Sequence, residues 1–112
     1  MHIKEVKTRK QMNEFVFLPK KLYAENQYYV PPIWLDEKNA YSKKNNPILA
    51  NSEFVLFVLY DDNGTPIGRN LIYIDFNHNK FYNVKMGFFG AFECIENSEA
   101  ANMLIDAAHG WL

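Results

Sequence analysis

An uninterrupted apolar run followed by a tight-turn signal constrains the fold of this chain more than any other feature. Residues 54–60 read FVLFVLY, which is short for a helix and typical of a strand that is covered on both faces. The next residues, DDNG at 61–64, favour a tight connection because Asn and Gly tolerate the left-handed conformation. The sequence therefore predicts that 67–76 returns as an antiparallel partner strand.

The residues before this hairpin predict one more strand and a helical region. Residues 2–7 place apolar side chains at imperfectly alternating positions and predict a short first strand. Thr8 and Gln11 have the spacing of a capping box, so a helix begins there. Pro19 lacks a backbone N–H group and clashes with the preceding turn, which predicts a break near Leu18 and two short helices instead of one long helix.

The residues after the hairpin predict a further strand and a last helix. A connection at 77–80 leads to an apolar strand over 86–95, and Asn97 then has the position of an N-cap for a helix over 98–112. One stripe of that helix is apolar and must pack on the sheet; it contains Ala100, Ala101, Leu104, Ala107, Ala108 and Trp111. The predicted fold is α/β in the α+β sense, with a mostly antiparallel sheet and the order β-α-α-β-β-β-α.

Length and charge limit the chain to one small domain with no general affinity for polyanions. A chain of 112 residues supports one core, so residues 1–112 are expected to form a single domain. The net charge of −1 gives no basic field for nucleic acid or an anionic membrane, and no apolar run is long enough to span a membrane. A charged N-terminal segment and a single cysteine predict a cytoplasmic protein without an internal disulfide.

Residues 26–52 have a composition that predicts a long ordered loop. Three of the five prolines lie there, together with five asparagines. Long loops in small domains are usually functional. Tyr28, Tyr29 and Trp34 are rigid aromatic residues beside a proline-fixed backbone, so they are candidates for lining an acceptor-substrate cleft. The alternative is that they cover the open face of the sheet.

The order of elements and several short strings resemble the GNAT superfamily of acyl-CoA N-acyltransferases. The order matches the first half of that fold, and the resemblance is closer to one bacterial branch of GNAT-like proteins. The strings that carry it are QYYVPP at 27–32, KKNNP at 43–47, IGR at 67–69, HN at 78–79 and GFFGAFEC at 87–94. The resemblance implies that 1–112 forms the N-terminal half of an acyltransferase-like domain that uses acetyl-CoA or another acyl-CoA.

The resemblance also points to one strand as the place of chemistry. In this superfamily an amine attacks a bound thioester, a carboxylate or water removes its proton, and strand N–H groups polarise the carbonyl. For this chain, the scheme makes Glu93 the catalytic candidate and Gly87, Phe88, Phe89 and Gly90 the cofactor-binding candidates. The two glycines independently suggest a bulge, or the close approach of a pantetheine arm or a neighbouring chain.

One segment departs from the superfamily's pattern. The family's loop, Q/R-x-x-G-x-G/A, presents N–H groups to the diphosphate of the cofactor, whereas residues 94–99 read CIENSE in its place. This segment has no glycine, and Glu96 and Glu99 bring negative charge to the start of the helix. We therefore expect a domain without a competent cofactor loop.

The alternative function is a non-catalytic interaction module. A sheet that ends at 86–95 leaves backbone N–H and C=O groups unpaired beside an apolar helix end at 111–112. Burial of one large apolar side chain is worth about 1.5–3 kcal/mol. These features favour a homodimer through the sheet edge and the C-terminal helix, or completion by a C-terminal half.

Two carboxylates and one thiol have both a chemical and a structural interpretation. Glu93 and Glu96 could act together as a base, and the favoured alternative is that they are solvated carboxylates that cap the last helix. Cys94 is a nucleophile only beside a His partner, and its apolar neighbours favour a buried structural thiol.

His78 and Arg69 also have both a chemical and a structural interpretation. His78 lies between two asparagines, where a bond to its own backbone is favoured over catalysis or metal binding. Arg69 could anchor a carboxylate or a phosphate, but a pair with Asp61 or Asp75 across the hairpin is favoured. We predict no metal site, because no second ligand of suitable spacing accompanies His78.

Overall fold

Four antiparallel strands and three helices make up the part of the chain that the structure describes. The structure is a computed structural model that describes residues 1–24, 41, 49, 52–83 and 86–111, with the backbone alone for Asn77 and Phe89. Its elements in chain order are β1 (His2–Glu5), α1 (Arg9–Leu22), β2 (Ser52–Tyr60), β3 (Pro66–Asp75), α2 (Phe76–Tyr82), β4 (Phe88–Cys94) and α3 (Ser98–Trp111). The sheet has the order β1-β2-β3-β4, and each pair of neighbours is antiparallel. This confirms the α+β class.

The β2–β3 hairpin forms as its turn residues predict. Asp61 Oδ1 accepts hydrogen bonds from the amides of Asn63 and Thr65, both at 2.9 Å. Gly64 has a φ of 79°, in the left-handed region that glycine enters without steric cost. Pairs such as Val55 with Ile72 fix the register of the hairpin.

Helix α1 begins at the predicted capping box but does not break where the sequence suggests. The amide of Gln11 donates to Thr8 Oγ1, and the amide of Thr8 donates to Gln11 Oε1, each at 3.1 Å. The helix then continues through Pro19 to Leu22, so the predicted break near Leu18 is wrong. A tertiary contact to the carbonyl of Phe15, described below, offsets the helical hydrogen bond that Pro19 cannot make.

A helix packs on each face of the sheet. Because side chains alternate along β2, its even-numbered residues face α1 and its odd-numbered residues face α3. The buried side chains of the α1 face include Phe15, Val16, Leu56, Val58, Tyr60 and Leu71, and those of the α3 face include Val55, Leu59, Ile67, Ile72, Ala100, Leu104 and Ala108. Half-buried Trp111 packs against the second group, so Ala100, Leu104, Ala108 and Trp111 of the predicted apolar stripe are confirmed. Ala101 and Ala107 are half-buried and belong to neither group.

The connection between β3 and β4 contains a short helix where the sequence predicts a plain turn. Asp75 is the N-cap of α2, where its Oδ1 accepts from the amide of His78 at 3.2 Å. Asn83 ends the helix in the left-handed conformation, with a φ of 53°. None of the helices in the described ranges combines the length and the apolar character needed to cross a bilayer.

Candidate functional site at the bulge of strand β4

The middle of β4 contains a β-bulge. In the register with β3, Leu71 lies opposite Gly90 and Arg69 lies opposite Glu93, so two residues of β4 face one residue of β3. Ala91, the first of these two residues, has a φ of 52°. The bulge that the glycines suggest is therefore present, although the left-handed residue is Ala91 and not a glycine.

The bulge changes the face of the sheet to which the end of β4 belongs. Successive strand residues point to opposite faces, so one inserted residue reverses the alternation beyond it. Glu93 consequently lies opposite Arg69, on the α1 face. Cys94 lies opposite Gly68 on the α3 face, where it packs with the cluster around Leu104.

Arg69 is a buried side chain that connects the bulge to helix α1. It is 3% exposed, and its Nε donates to the carbonyl of Ala91 at 2.9 Å. Its Nη1 donates to the carbonyl of Phe15 at 2.7 Å and lies 3.3 Å from that of Val16. The guanidinium carbon is also 5.0 Å from the centroid of the Phe15 ring, which is within cation–π range.

The predicted pairing of Arg69 with Asp61 or Asp75 is wrong. Both carboxylates bind backbone amides close to them in the sequence: Asp61 binds amides of the hairpin connection, and Asp75 caps α2. A distant residue explains one of the carbonyls that Arg69 binds: Pro19 has no N–H group to donate to the carbonyl of Phe15, and Arg69 supplies that donor.

Glu93 is held on the α1 face by a residue that sequence reasoning missed. The hydroxyl of Tyr23 donates to Glu93 Oε2 at 2.5 Å, across a separation of 70 residues, and both side chains are half-buried. Tyr23 is the C-cap of α1. Neighbouring residues in the sequence do not indicate this contact. It depends on where α1 ends and on which face of the sheet the side chains of β4 point to after the bulge.

The other residues predicted for the site lie along the same strand or outside the described ranges. Gly87 is exposed just before β4, and Phe88 stacks on Tyr73 with ring centroids 5.3 Å apart. Phe89 pairs with Ile72 through the backbone. A Cβ added to Gly90 would meet no atom of the described structure within 4 Å. Tyr28, Tyr29 and Trp34 lie outside the described residues.

The start of α3 is capped by a side chain, in the segment that the GNAT resemblance predicts to face the diphosphate of a cofactor. Asn97 Oδ1 accepts from the amide of Ala100 at 3.0 Å, which confirms Asn97 as the N-cap. Glu96 and Glu99 are exposed beside this helix end. A carboxylate near a helix N-terminus stabilises it by about 0.3–1 kcal/mol, but it repels a second anion at the same position. These residues do not fit the diphosphate of acyl-CoA.

Cys94 and His78 have structural surroundings. Burial raises the pKa of the Cys94 thiol, so the side chain stays protonated at neutral pH and is a poor nucleophile. The ring of His78 packs on Tyr82 and Phe88, and its Nδ1 lies 3.2 Å from Asn79 Oδ1. Within the described ranges, no three His, Cys, Asp or Glu side chains form a group that could hold a metal ion.

A separate cavity of about 280 Å³ lies between β1, α1 and the hairpin turn, and the described residues that line it include none of those predicted for the site. On its wall, the hydroxyl of Tyr60 donates to Glu14 Oε1 at 2.8 Å. Burial, followed by this hydrogen bond, raises the pKa of Tyr60 to about 12. His2 stacks on the ring of Tyr60, with centroids 5.3 Å apart.

Comparison with known proteins finds two relatives and no assigned family. No family model matches the chain, and no solved structure matches it. The chain is 29% identical over 108 residues to a bacterial ceramide synthase of Caulobacter vibrioides, which covers 96% of this chain and 28% of the relative. It is 24% identical over 106 residues to Protein YghO of Escherichia coli, which covers 93% of this chain and 26% of that protein. The chain thus spans about a quarter of the length of the curated relatives it matches.

Proposed function

We propose that this chain forms the N-terminal half of an acyl-CoA N-acyltransferase-like domain, in which Glu93 accepts a proton from the acceptor amine. The observation that supports this proposal is the bulge, which turns the Glu93 carboxylate to the α1 face, where Tyr23 holds it. A carboxylate in a fixed position at a strand end can act as a general base when an amine becomes a nucleophile.

The name of one relative supports an amine as the substrate. Ceramide is the amide of a long-chain amino alcohol and a fatty acid, so a ceramide synthase forms an N-acyl bond. We extend this class of acceptor, a long-chain amino alcohol, to the present chain. Gly90 lies on the same face of β4 as Glu93, and no atom of the described residues lies within 4 Å of a Cβ placed there.

The acyl donor is not held through its diphosphate by this chain. The start of α3 is capped by Asn97 and flanked by two carboxylates, as described above. The proposal therefore assigns the acceptor side of the reaction to residues 1–112 and places the diphosphate contacts in a second polypeptide segment.

A nuclear magnetic resonance titration with two probes tests this division. The probes are a short-chain sphinganine analogue, which carries the amine, and CoA. The amine is expected to shift the resonances of Tyr23 and of 90–93, whereas CoA is expected to leave 94–99 unchanged. Glu93→Gln should abolish the amine shifts, and the matched control Glu96→Gln, in the exposed turn, should retain them. Amine shifts that survive Glu93→Gln would refute the proposal.

A second candidate function is an interaction module, and the position of β4 favours it. In the described sheet β4 is a terminal strand that pairs with β3, and Phe92 at the bulge is 36% exposed. An exposed apolar edge is suited to pairing with a second copy or with a C-terminal half. Light scattering at tens of micromolar should then show a dimer that Phe92→Lys dissociates, and a monomer at that concentration counts against it.

A further inference from the structure

We infer that Arg69 is a positioning residue for Glu93: its guanidinium holds the bulge at Ala91, and the bulge keeps the Glu93 carboxylate on the α1 face beside Tyr23. The assignment of Glu93 as the base rests on the proposed function. The positional link between Arg69, Ala91 and Glu93 rests on geometry alone.

The link begins at a fixed point on helix α1. The carbonyl of Phe15 has no helical donor, because the residue four positions later is Pro19. A buried carbonyl needs a partner, and Arg69 Nη1 supplies it at 2.7 Å. Arg69 is therefore held by the backbone of α1, and its planar fork leaves Nε aimed at β4.

The second step is the contact with the bulge. Ala91 adopts a left-handed conformation that is unfavourable for residues with a Cβ. Its carbonyl accepts from Arg69 Nε at 2.9 Å, and Arg69 is almost completely buried. A charge-assisted hydrogen bond to this carbonyl favours the bulged conformation over a regular strand.

The third step connects the bulge to the position of the Glu93 carboxylate. If β4 continued as a regular strand beyond Gly90, the alternation of side chains would place Glu93 on the α3 face, away from the hydroxyl of Tyr23. With the bulge, Glu93 lies opposite Arg69 and accepts from Tyr23. Both ends of the link lie on α1, since Arg69 binds the carbonyl of Phe15 and Glu93 binds the C-cap residue.

The nuclear Overhauser contact between the Tyr23 ring and the Glu93 side chain tests the inference. Arg69→Met is expected to lose this contact while the β2–β3 pairing remains. Arg69→Lys keeps the charge but lacks the several N–H donors of the planar guanidinium, so it should lose the contact as well. If Arg69→Met does not fold, Arg69→Lys provides the test. Thr8→Ala, which destabilises α1 at its distant cap, should keep the contact.

A rescue variant separates positioning from general stability. Glycine adopts the left-handed conformation without steric cost, so Ala91→Gly in the Arg69→Met or Arg69→Lys background should restore part of the contact. Persistence of the Tyr23–Glu93 contact in folded Arg69→Met or Arg69→Lys overturns the inference. Failure of the proposed function has a different signature: the contact would follow Arg69 as expected, but Glu93→Gln would leave amine binding unchanged.

Discussion

Gly68 lies directly against Leu104, the buried centre of the contact between α3 and the sheet. A Cβ added to Gly68 would stand 2.8 Å from Leu104 Cδ1, closer than real Cβ contacts. The same Cβ would lie 3.4 Å from Cys94 Sγ and from the carbonyl of Glu93. The absence of a side chain at residue 68 therefore lets α3 pack on β3 beside the end of the bulged strand.

Gly68→Ala should destabilise the protein by about 1–3 kcal/mol, because overpacking moves Leu104 or the helix that carries it. Leu104→Ala should cost about 2–5 kcal/mol through loss of buried apolar contact. The double variant should lose less than the sum of the two, since the smaller residue makes room for the new methyl group. Urea denaturation measures all three, and additive losses would contradict the contact.

Ala91→Gly should stabilise the protein by about 1 kcal/mol, because it removes the steric strain of a left-handed alanine. The matched control is Ala107→Gly within α3, which should destabilise by roughly 0.5–1 kcal/mol because glycine weakens a helix. Thermal or urea unfolding gives both signs. Loss of stability in Ala91→Gly would mean that residue 91 does not occupy the left-handed conformation.

Burial of Tyr60, together with its hydrogen bond to Glu14, makes stability depend on pH in the alkaline range. The pKa of Tyr60 is about 12 in the folded protein, above the ordinary value of 10.0. Folding therefore favours the protonated phenol, and this contribution to stability is complete below pH 10 and is lost as pH rises from about 10 to 12. Tyr60→Phe removes it.

Urea denaturation of wild type and Tyr60→Phe between pH 9 and 12 isolates the contribution of Tyr60 to the pH dependence of stability, because the other tyrosines are common to both proteins. The free energy of unfolding of wild type should fall more steeply with pH than that of Tyr60→Phe. If the free energies of unfolding of the two proteins fell in parallel with pH, Tyr60 would have the same pKa in the folded and unfolded states.

The Cys94 thiol should react slowly with an alkylating reagent in the folded protein. Burial raises its pKa, so little thiolate is present near pH 8, and the neighbours on the α3 face limit access. Mass spectrometry after iodoacetamide treatment measures one site, since the chain has one cysteine. Reaction as fast as in urea-unfolded protein would be incompatible with the packing described.

The parts of the fold that the sequence predicts are those set by neighbouring residues. The turn at 61–64, the capping box of Thr8 and the N-cap at Asn97 each depend on two to four adjacent positions, and all three are confirmed. The short helix α2 escaped prediction because its seven residues carry no apolar period. Its cap, Asp75, reads equally well as the end of a strand.

The candidate site depends on contacts between distant residues, and these could not be predicted. Arg69 binds the carbonyl of Phe15 because of Pro19, which is 50 positions away in the sequence. The face of the sheet on which Glu93 lies depends on the left-handed conformation of Ala91, and alanine is a residue type that gives no turn signal. The glycines of β4 drew attention to the correct strand without identifying the residue that bends it.

The most direct test of the account is isothermal titration of the sphinganine analogue into wild type, Glu93→Gln and Glu96→Gln. Saturable heat is expected for wild type and Glu96→Gln, and its loss is expected in Glu93→Gln, because Glu93 lies on the α1 face beside Tyr23 whereas Glu96 is exposed at the start of α3. Equal heats for wild type and Glu93→Gln, or saturable binding of CoA to wild type at micromolar affinity, would contradict the account.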